Sequence, residues 1–308
     1  MTRPGTRRRA LLLPALALVL ALLAACGGTS GGDAASSAPT LRISSIPDQD
    51  QDKLAARDGA MADYLGSKLG VKAEYVPVTD YSASVTLFRT GDLDLVFYGG
   101  LTGVQARLQT PDSTLIAQRD IDDDFRSVFI ASTASGVQPF SDVAGLSALK
   151  GKRVTFGSES STSGRLMPEY FLRQAGVASR DLAGEIGFSG SHDATINLVT
   201  SGTYEVGALN SQVWESRTKE GRVDESKVRL VFTSPPYHDY HWIAGPSLDQ
   251  RLGDGTADRV KAAMLELSTN DPAQKALLEQ YGAQSFIPTT PENYGQIEEI
   301  ARELGLLG

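Results

Sequence analysis

The 308-residue chain carries 29 basic against 37 acidic residues, a formal net charge of −8. An acidic chain of this size is a poor partner for nucleic acid, and any anion it binds must be held by a local site rather than by the overall field. Its single cysteine excludes an internal disulfide.

Arg3, Arg7, Arg8 and Arg9 lead into an apolar run from Ala10 to Leu23, the pattern of an export signal over residues 1–25. At about 14 residues the run is shorter than the ~20 that a transmembrane span needs. It ends in Leu23-Ala24-Ala25-Cys26, and small residues before a cysteine resemble a lipobox. The Cys26 sulfur would then carry diacylglycerol and anchor the mature chain at the outer face of the cytoplasmic membrane. Thr6-Arg7-Arg8 leaves twin-arginine export open beside the general route. Residues 26–39, rich in Gly, Ser and Ala, read as a flexible tether. Removing the leader removes four arginines and no acid, taking the formal charge from −8 to −12.

From Leu41 short β-like runs alternate with amphipathic segments. The order is strand Leu41–Ile46, helix Asp50–Leu69, strand Lys72–Val76, helix Tyr81–Thr90 and strand Leu93–Phe97. The rhythm restarts after Gly136 with strand Arg153–Phe156, helix Gly164–Gln174, strand Glu185–Phe188, helix Asp193–Ser201 and strands Val206–Leu209 and Val228–Val231. Two βα units predict an α/β chain of two lobes. Residues 40–131 form the first part of lobe 1, 132–230 form lobe 2, and 231–308 return to lobe 1 as helices. The β-rich runs Phe125–Ala131 and Arg229–Phe232 would carry the chain out and back, a two-strand hinge around an interlobe cleft.

The segment Ser160-Ser161-Thr162-Ser163-Gly164 lies between a strand and a helix. The first turn of a helix offers N–H groups without intrahelical acceptors, and hydroxyls add donors beside them, so an anion with several oxygens can be held without a full positive charge. Gly190-Ser191-His192-Asp193 repeats the arrangement, with His192 as a donor at a helix start, and Asn210-Ser211 supplies a third. From lobe 1, Tyr98 and Gly99 end a buried strand and Tyr81 opens a helix. The run Asp120–Asp124 reads as a solvated acidic turn. His238 and His241 on a β-like segment point to opposite faces, which argues against shared metal ligation. No metal and no cofactor are expected.

With the lipobox, these Ser/Thr, His192 and Tyr98-Gly99 segments resemble the phosphonate/phosphite-type substrate-binding proteins of ABC importers, across essentially the whole mature chain. Ile46-Pro47-Asp48-Gln49-Asp50, Gly99-Gly100-Leu101-Thr102-Gly103 and Asn210-Ser211-Gln212-Val213-Trp214 look like a branch of that family named for selenate. The resemblance implies a type II periplasmic-binding-protein fold, a monomer, and capture of a small tetrahedral oxyanion by lobe closure for delivery to a membrane permease and its ATPase. It implies Ser161, Thr162, Ser163, His192, Tyr98, Tyr81, Asn210 and Gly99 as ligand-binding positions. Family members tend to carry an acid where this chain has Asn210, and an amide can donate to an ion that has no proton to give. A selenate- or sulfate-like ligand is therefore favoured, with phosphonate, phosphite or phosphate as the alternative. From other classes, Ser161 or Ser163 with His192 allows a secreted serine hydrolase, although no nucleophile elbow is present, and the binding lobes could instead signal to a sensor kinase.

Overall fold

A computed structural model describes residues 39–307; the export signal, Cys26 and the tether up to residue 38 lie outside the described residues. The first lobe begins with β1 (Leu41–Ser45), α1 (Gln51–Leu69), β2 (Ala73–Tyr75), α2 (Tyr81–Arg89), β3 (Leu95–Tyr98), α3 (Gly100–Gln109) and β4 (Thr114–Arg119). The second lobe holds β5 (Ser127–Ser132), β6 (Val154–Phe156), a π turn (Thr162–Leu166) continuing into α4 (Met167–Gln174), β7 (Gly187–Phe188), α5 (His192–Thr200), β8 (Val206–Asn210), α6 (Ser211–Lys219) and β9 (Val228–Thr233). The chain then returns through β10 (His241–Ala244), α7 (Ser247–Leu252), α8 (Thr256–Leu265), α9 (Pro272–Gln280), β11 (Phe286–Ile287) and α10 (Gly295–Glu303).

The lobes share one plan. The first sheet runs β2-β1-β3-β10-β4-β11 and the second β7-β6-β8-β5-β9. In each, three parallel strands are followed by an antiparallel one, β10 or β5, and that strand is the one the chain enters on crossing from the other lobe. The likeness expected from the βα rhythm is thus a likeness of strand order. Two α/β lobes of this kind, crossed twice, are the type II fold that the family resemblance implies.

The crossings fall elsewhere than the sequence boundaries. β5 pairs with β8 and β9, so residues 127–132 belong to the second sheet rather than to lobe 1, and β9 stays in that sheet to Thr233. The outward and return segments meet where Phe125 and Tyr237 exchange N–H···O bonds of 3.0 and 2.9 Å. Composition reads a buried β run as a strand but not as a member of either sheet. For the same reason β10 and β11 interrupt a stretch whose pattern reads as helical.

Strands β3, β5, β8 and β10 are buried at every residue, as strands covered on both faces must be. Phe97 on β3 packs on Tyr281 and under Arg57, whereas its neighbour Tyr98 packs edge-on to Phe88 of α2. Adjacent residues of a strand face opposite ways, so α1 and α9 cover one face and α2 the other. The core continues through the crossings, where Phe125 contacts both Tyr237 and Tyr240. No helix among the described residues is long and apolar enough to cross a membrane.

Candidate functional site

The loops that follow β1, β6, β7 and β8 meet between the lobes, as expected for ligand sites at the carboxyl ends of parallel strands. After β6, Ser161 caps the π turn by accepting the Gly164 N–H on its Oγ at 2.9 Å. Thr162 and Ser163 then occupy the first helical positions, both buried, and their N–H groups have no acceptor within the helix. Gly164 lets His192 approach: a Cβ there would stand 2.9 Å from Ser161 Oγ and 3.2 Å from His192 Cε1.

His192, the first residue of α5, is fully buried. Its Nδ1 accepts the Asn210 N–H at 3.4 Å, so the neutral ring carries its hydrogen on Nε2, which has no partner among the described residues. Burial lowers the proton affinity of the ring. His192 is therefore a neutral N–H donor rather than a cation. Its backbone N–H donates across the lobes to the Asp48 carbonyl at 2.9 Å.

Lobe 1 and the return crossing supply the opposite wall. Tyr81 is buried with its hydroxyl unpartnered among the described residues, and burial raises its pKa well above the phenol range, so it stays a donor. It lies against Ser161 and within electrostatic reach of Asp48 and Asp239. Asp48 accepts the Tyr240 hydroxyl on Oδ2 at 2.7 Å. Asp239 accepts the Gly100 N–H on Oδ1 at 2.8 Å, and burial pushes its carboxyl up to about 7. Asp48 Oδ1 and Asp239 Oδ2 are both buried without a partner among the described residues.

Donors and acceptors thus gather at one buried junction of the lobes, the ligand chamber, with Tyr81 within electrostatic reach of Asp48 and Asp239 and His192 within reach of Asp48. Leaving such a group unpaired costs ~1–3 kcal/mol, so His192 Nε2, Tyr81 OH, Asp48 Oδ1 and Asp239 Oδ2 together call for a ligand that both accepts and donates. The arginines closest behind this wall, Arg57 and Arg119, are already paired with Asp58 and Asp122. Two clefts flank the chamber: one of ≈ 560 Å³ beside Tyr81, Ser158 and Ser191, and one of ≈ 330 Å³ beside Asp48, Asn210 and Tyr240.

Several sequence expectations need correction. Tyr98 donates its hydroxyl to the Ser84 carbonyl at 2.9 Å, on the α2 face of β3, and is not brought to the chamber. Asn210 caps α6, its Oδ1 accepting from Gln212 and Val213 at 2.7 and 3.2 Å, while its amide donates to Tyr240 at 3.1 Å. Its Oδ1 and one of its two Nδ2 hydrogens are engaged within the fold, which leaves a single amide hydrogen to offer. Gly99 acts by being small: a Cβ there would stand 3.1 Å from Thr162 Oγ1 and 3.2 Å from Asp239 Oδ1. The N–H groups that follow it, at Gly100 and Leu101, are taken by Asp239 and by Thr162 Oγ1 at 2.8 and 2.9 Å. In the acidic turn, Asp122 is buried against Arg119 rather than solvated.

Asp48 and Asp239 were the residues missed. Asp48 stands directly after the β1 strand end, where ligands to parallel sheets bind, and Asp239 sits between the two histidines that drew the metal question. No group of His, Cys, Asp and Glu among the described residues could hold a metal ion. The unpartnered Asp48 Oδ1 weighs against a selenate- or sulfate-like ligand, which has no proton to offer it.

A family model described as ABC transporter, phosphonate, periplasmic substrate-binding protein matches residues 43–294. The chain is 49% identical over 265 residues to the probable ABC transporter phosphite binding protein PhnD1 of Prochlorococcus marinus (strain MIT 9301), covering 86% of this chain and 89% of that one. It is similar to the solved structure of PhnD1 in complex with methylphosphonate, with a TM-score of 0.85 at 48% identity over 87% of this chain and 98% of that one. A binding-protein component of an ABC phosphonate transporter from Pseudomonas aeruginosa shares the fold, with a TM-score of 0.74 at 16% identity over 85% of each chain.

Proposed function

We propose a ligand and a mode of capture for a chain that belongs to the ABC transporter phosphonate periplasmic substrate-binding family. Membership makes it the exported substrate-binding component of an importer for phosphonate or phosphite, working with a permease, and sets aside the serine hydrolase. Its ligand is a small tetrahedral phosphorus oxyanion that keeps one P–OH, phosphite or methylphosphonate. The observation that carries this reading is the pair of unpartnered carboxylate oxygens, Asp48 Oδ1 and Asp239 Oδ2, in the same chamber as the His192 and Tyr81 donors. The methylphosphonate complex of PhnD1 and its description as a phosphite binder support it.

In this mechanism the anion's P–O oxygens take hydrogen bonds from His192 Nε2–H, the Tyr81 hydroxyl, the N–H groups of Thr162 and Ser163, and the hydroxyls of Ser161, Thr162 and Ser163. The P–OH donates to Asp48 or Asp239. These groups come from both lobes and from the return crossing, so the ligand completes its contacts only when the lobes close, and the closed form is what the permease reads. Charge-assisted bonds of this kind are worth roughly 1.5–3 kcal/mol each. A thermal-shift series tests the assignment. Phosphite and methylphosphonate should raise the melting temperature and sulfate and selenate should not; the reverse pattern would reject it.

The mature protein acts as a monomer tethered through diacylglycerol on Cys26, at the outer face of the cytoplasmic membrane. The lipobox-like Leu23-Ala24-Ala25-Cys26 supports this. Cys26→Ser should move the protein from the membrane fraction to the soluble exported fraction, and retention at the membrane would contradict the anchor.

A further inference from the structure

A series of buried hydrogen bonds runs from the two crossings to the turn after β6. At its head the outward and return segments are stapled together. Phe125 pairs with Tyr237, and Ser127, just beyond, gives its N–H to Ser234 Oγ at 2.9 Å and accepts the Ser234 N–H on its carbonyl at 2.9 Å. The Ser127 hydroxyl lies 2.7 Å from the Tyr237 hydroxyl and 2.8 Å from the Ser163 carbonyl oxygen. On the other side of the Ser163–Gly164 peptide, the Gly164 N–H donates to Ser161 Oγ at 2.9 Å. Tyr237, Ser127, Ser163 and Ser161 are each at most 3% exposed, so these bonds are shielded from water.

The directions follow from counting hydrogens. A carbonyl only accepts, so the one hydrogen of the Ser127 hydroxyl goes to Ser163. Two hydroxyl oxygens 2.7 Å apart need a hydrogen between them, so Tyr237 donates to Ser127. Burial raises the Tyr237 pKa well above the phenol range, which keeps that hydrogen in place. Ser161 Oγ accepts from Gly164, so its own hydrogen is left to point toward Tyr81 and the ligand. Every bond therefore runs the same way, from Tyr237 through Ser127 and the Ser163–Gly164 peptide to Ser161. Bonds aligned in this manner polarise one another, the more so where the surroundings are of low dielectric.

We propose that Ser127 and Tyr237 are positioning residues for ligand capture: through the Ser163–Gly164 peptide they hold the Ser161 hydroxyl as a donor to the bound oxyanion. The crossings between the lobes and the anion-binding turn then work as one unit. Neither residue lines the clefts that flank the chamber, and each acts on affinity through Ser161. This rests on the phosphorus-oxyanion reading above.

Double-variant cycles read by titration calorimetry with methylphosphonate and phosphite test the proposal. Tyr237→Phe removes only the hydroxyl at the head of the series and should weaken binding about three- to tenfold. In a Ser161→Ala background, where the series no longer reaches the ligand, the same change should cost less than about 1.5-fold. In a Thr162→Ala background, which alters the same turn outside the series, the loss should stay at about three- to tenfold, because independent sites add. Binding heat from each single variant reports that it has folded. If Tyr237→Phe gives none, Ser127→Ala takes its place in both cycles under the same criteria. No loss from Tyr237→Phe alone, an undiminished loss beside Ser161→Ala, or a loss that shrinks equally beside Thr162→Ala overturns the relay while leaving the ligand assignment standing. An unaltered protein that binds neither methylphosphonate nor phosphite overturns the ligand assignment and the relay with it.

Discussion

The N–H of His192 donates to the carbonyl of Asp48 at 2.9 Å, fastening the start of α5 in one lobe to the loop after β1 in the other. Each residue also keeps one unpartnered polar atom buried among the described residues, Nε2 and Oδ1. A donor and an acceptor are thereby held together only while the lobes are closed, so binding and closure are one equilibrium.

His192→Ala and Thr162→Ala remove groups at the two helix starts. Each should weaken methylphosphonate by roughly tenfold or more, from ~1.5–3 kcal/mol per charge-assisted bond. Calorimetric affinities unchanged in either variant would remove that residue from the site.

Asp48→Asn replaces an acceptor by an amide that can also donate. Affinity for methylphosphonate should fall by about ten- to a hundredfold while discrimination against sulfate narrows. A competition assay reads both, and undiminished discrimination would mean that Asp48 does not accept the ligand's proton.

Asp239 gives a pH signature. Its carboxyl is at about 7 in the folded chain against about 3.9 when unfolded. A raised pKa favours the folded state at low pH, and that contribution is lost as pH rises to and through 7. His192 and His241 are lowered by burial and work the other way, losing their contribution as pH falls. Comparing Asp239→Asn with the unaltered ligand-free protein cancels the histidines. The variant should gain relative stability between pH 5.5 and 8, on the order of 1–2 kcal/mol, measured by urea denaturation; a constant difference would place the carboxyl at an ordinary pKa.

Among the charged contacts that cross the lobes outside the chamber, two differ sharply in exposure. Asp193 Oδ2 accepts the Asp50 N–H at 3.0 Å while it is held by the Arg217 guanidinium, 2% exposed. Lys53 and Glu220 pair at 2.5 Å in more exposed positions. Loss of the first, by Asp193→Ala, should speed ligand release about tenfold in stopped flow, because it removes the charged acceptor that ties the Asp50 N–H to the second lobe and leaves the buried guanidinium only its 3.4 Å contact with Glu220. Lys53→Ala should change the rate by less than about threefold, as an exposed pair contributes little. Equal effects would refute this ranking.

The sequence made the lobes, the helix starts at Ser161–Ser163 and His192, and Tyr81 legible, since strand-to-helix punctuation is local. It misplaced the crossings, because the sheet a buried strand joins is decided by distant partners such as β8 for β5. It read Asn210 only as a ligand donor, because an N-cap and a ligand donor use the same amide, and only the geometry shows Gln212 and Val213 bonding to it. It passed over Asp48 and Asp239 because a lone acid looks solvated until its neighbours are known. That omission turned the ligand preference toward a fully ionised anion.

The central claim is that the chamber selects a phosphorus oxyanion by the proton it keeps. Calorimetric titration of the purified protein near pH 7 with methylphosphonate, phosphite, sulfate and selenate addresses it most directly. The structure predicts binding heat from at least one of the two phosphorus anions and an affinity at least about a hundredfold weaker for sulfate and selenate. Selenate or sulfate binding as tightly as methylphosphonate, or no heat from either phosphorus anion, would contradict it.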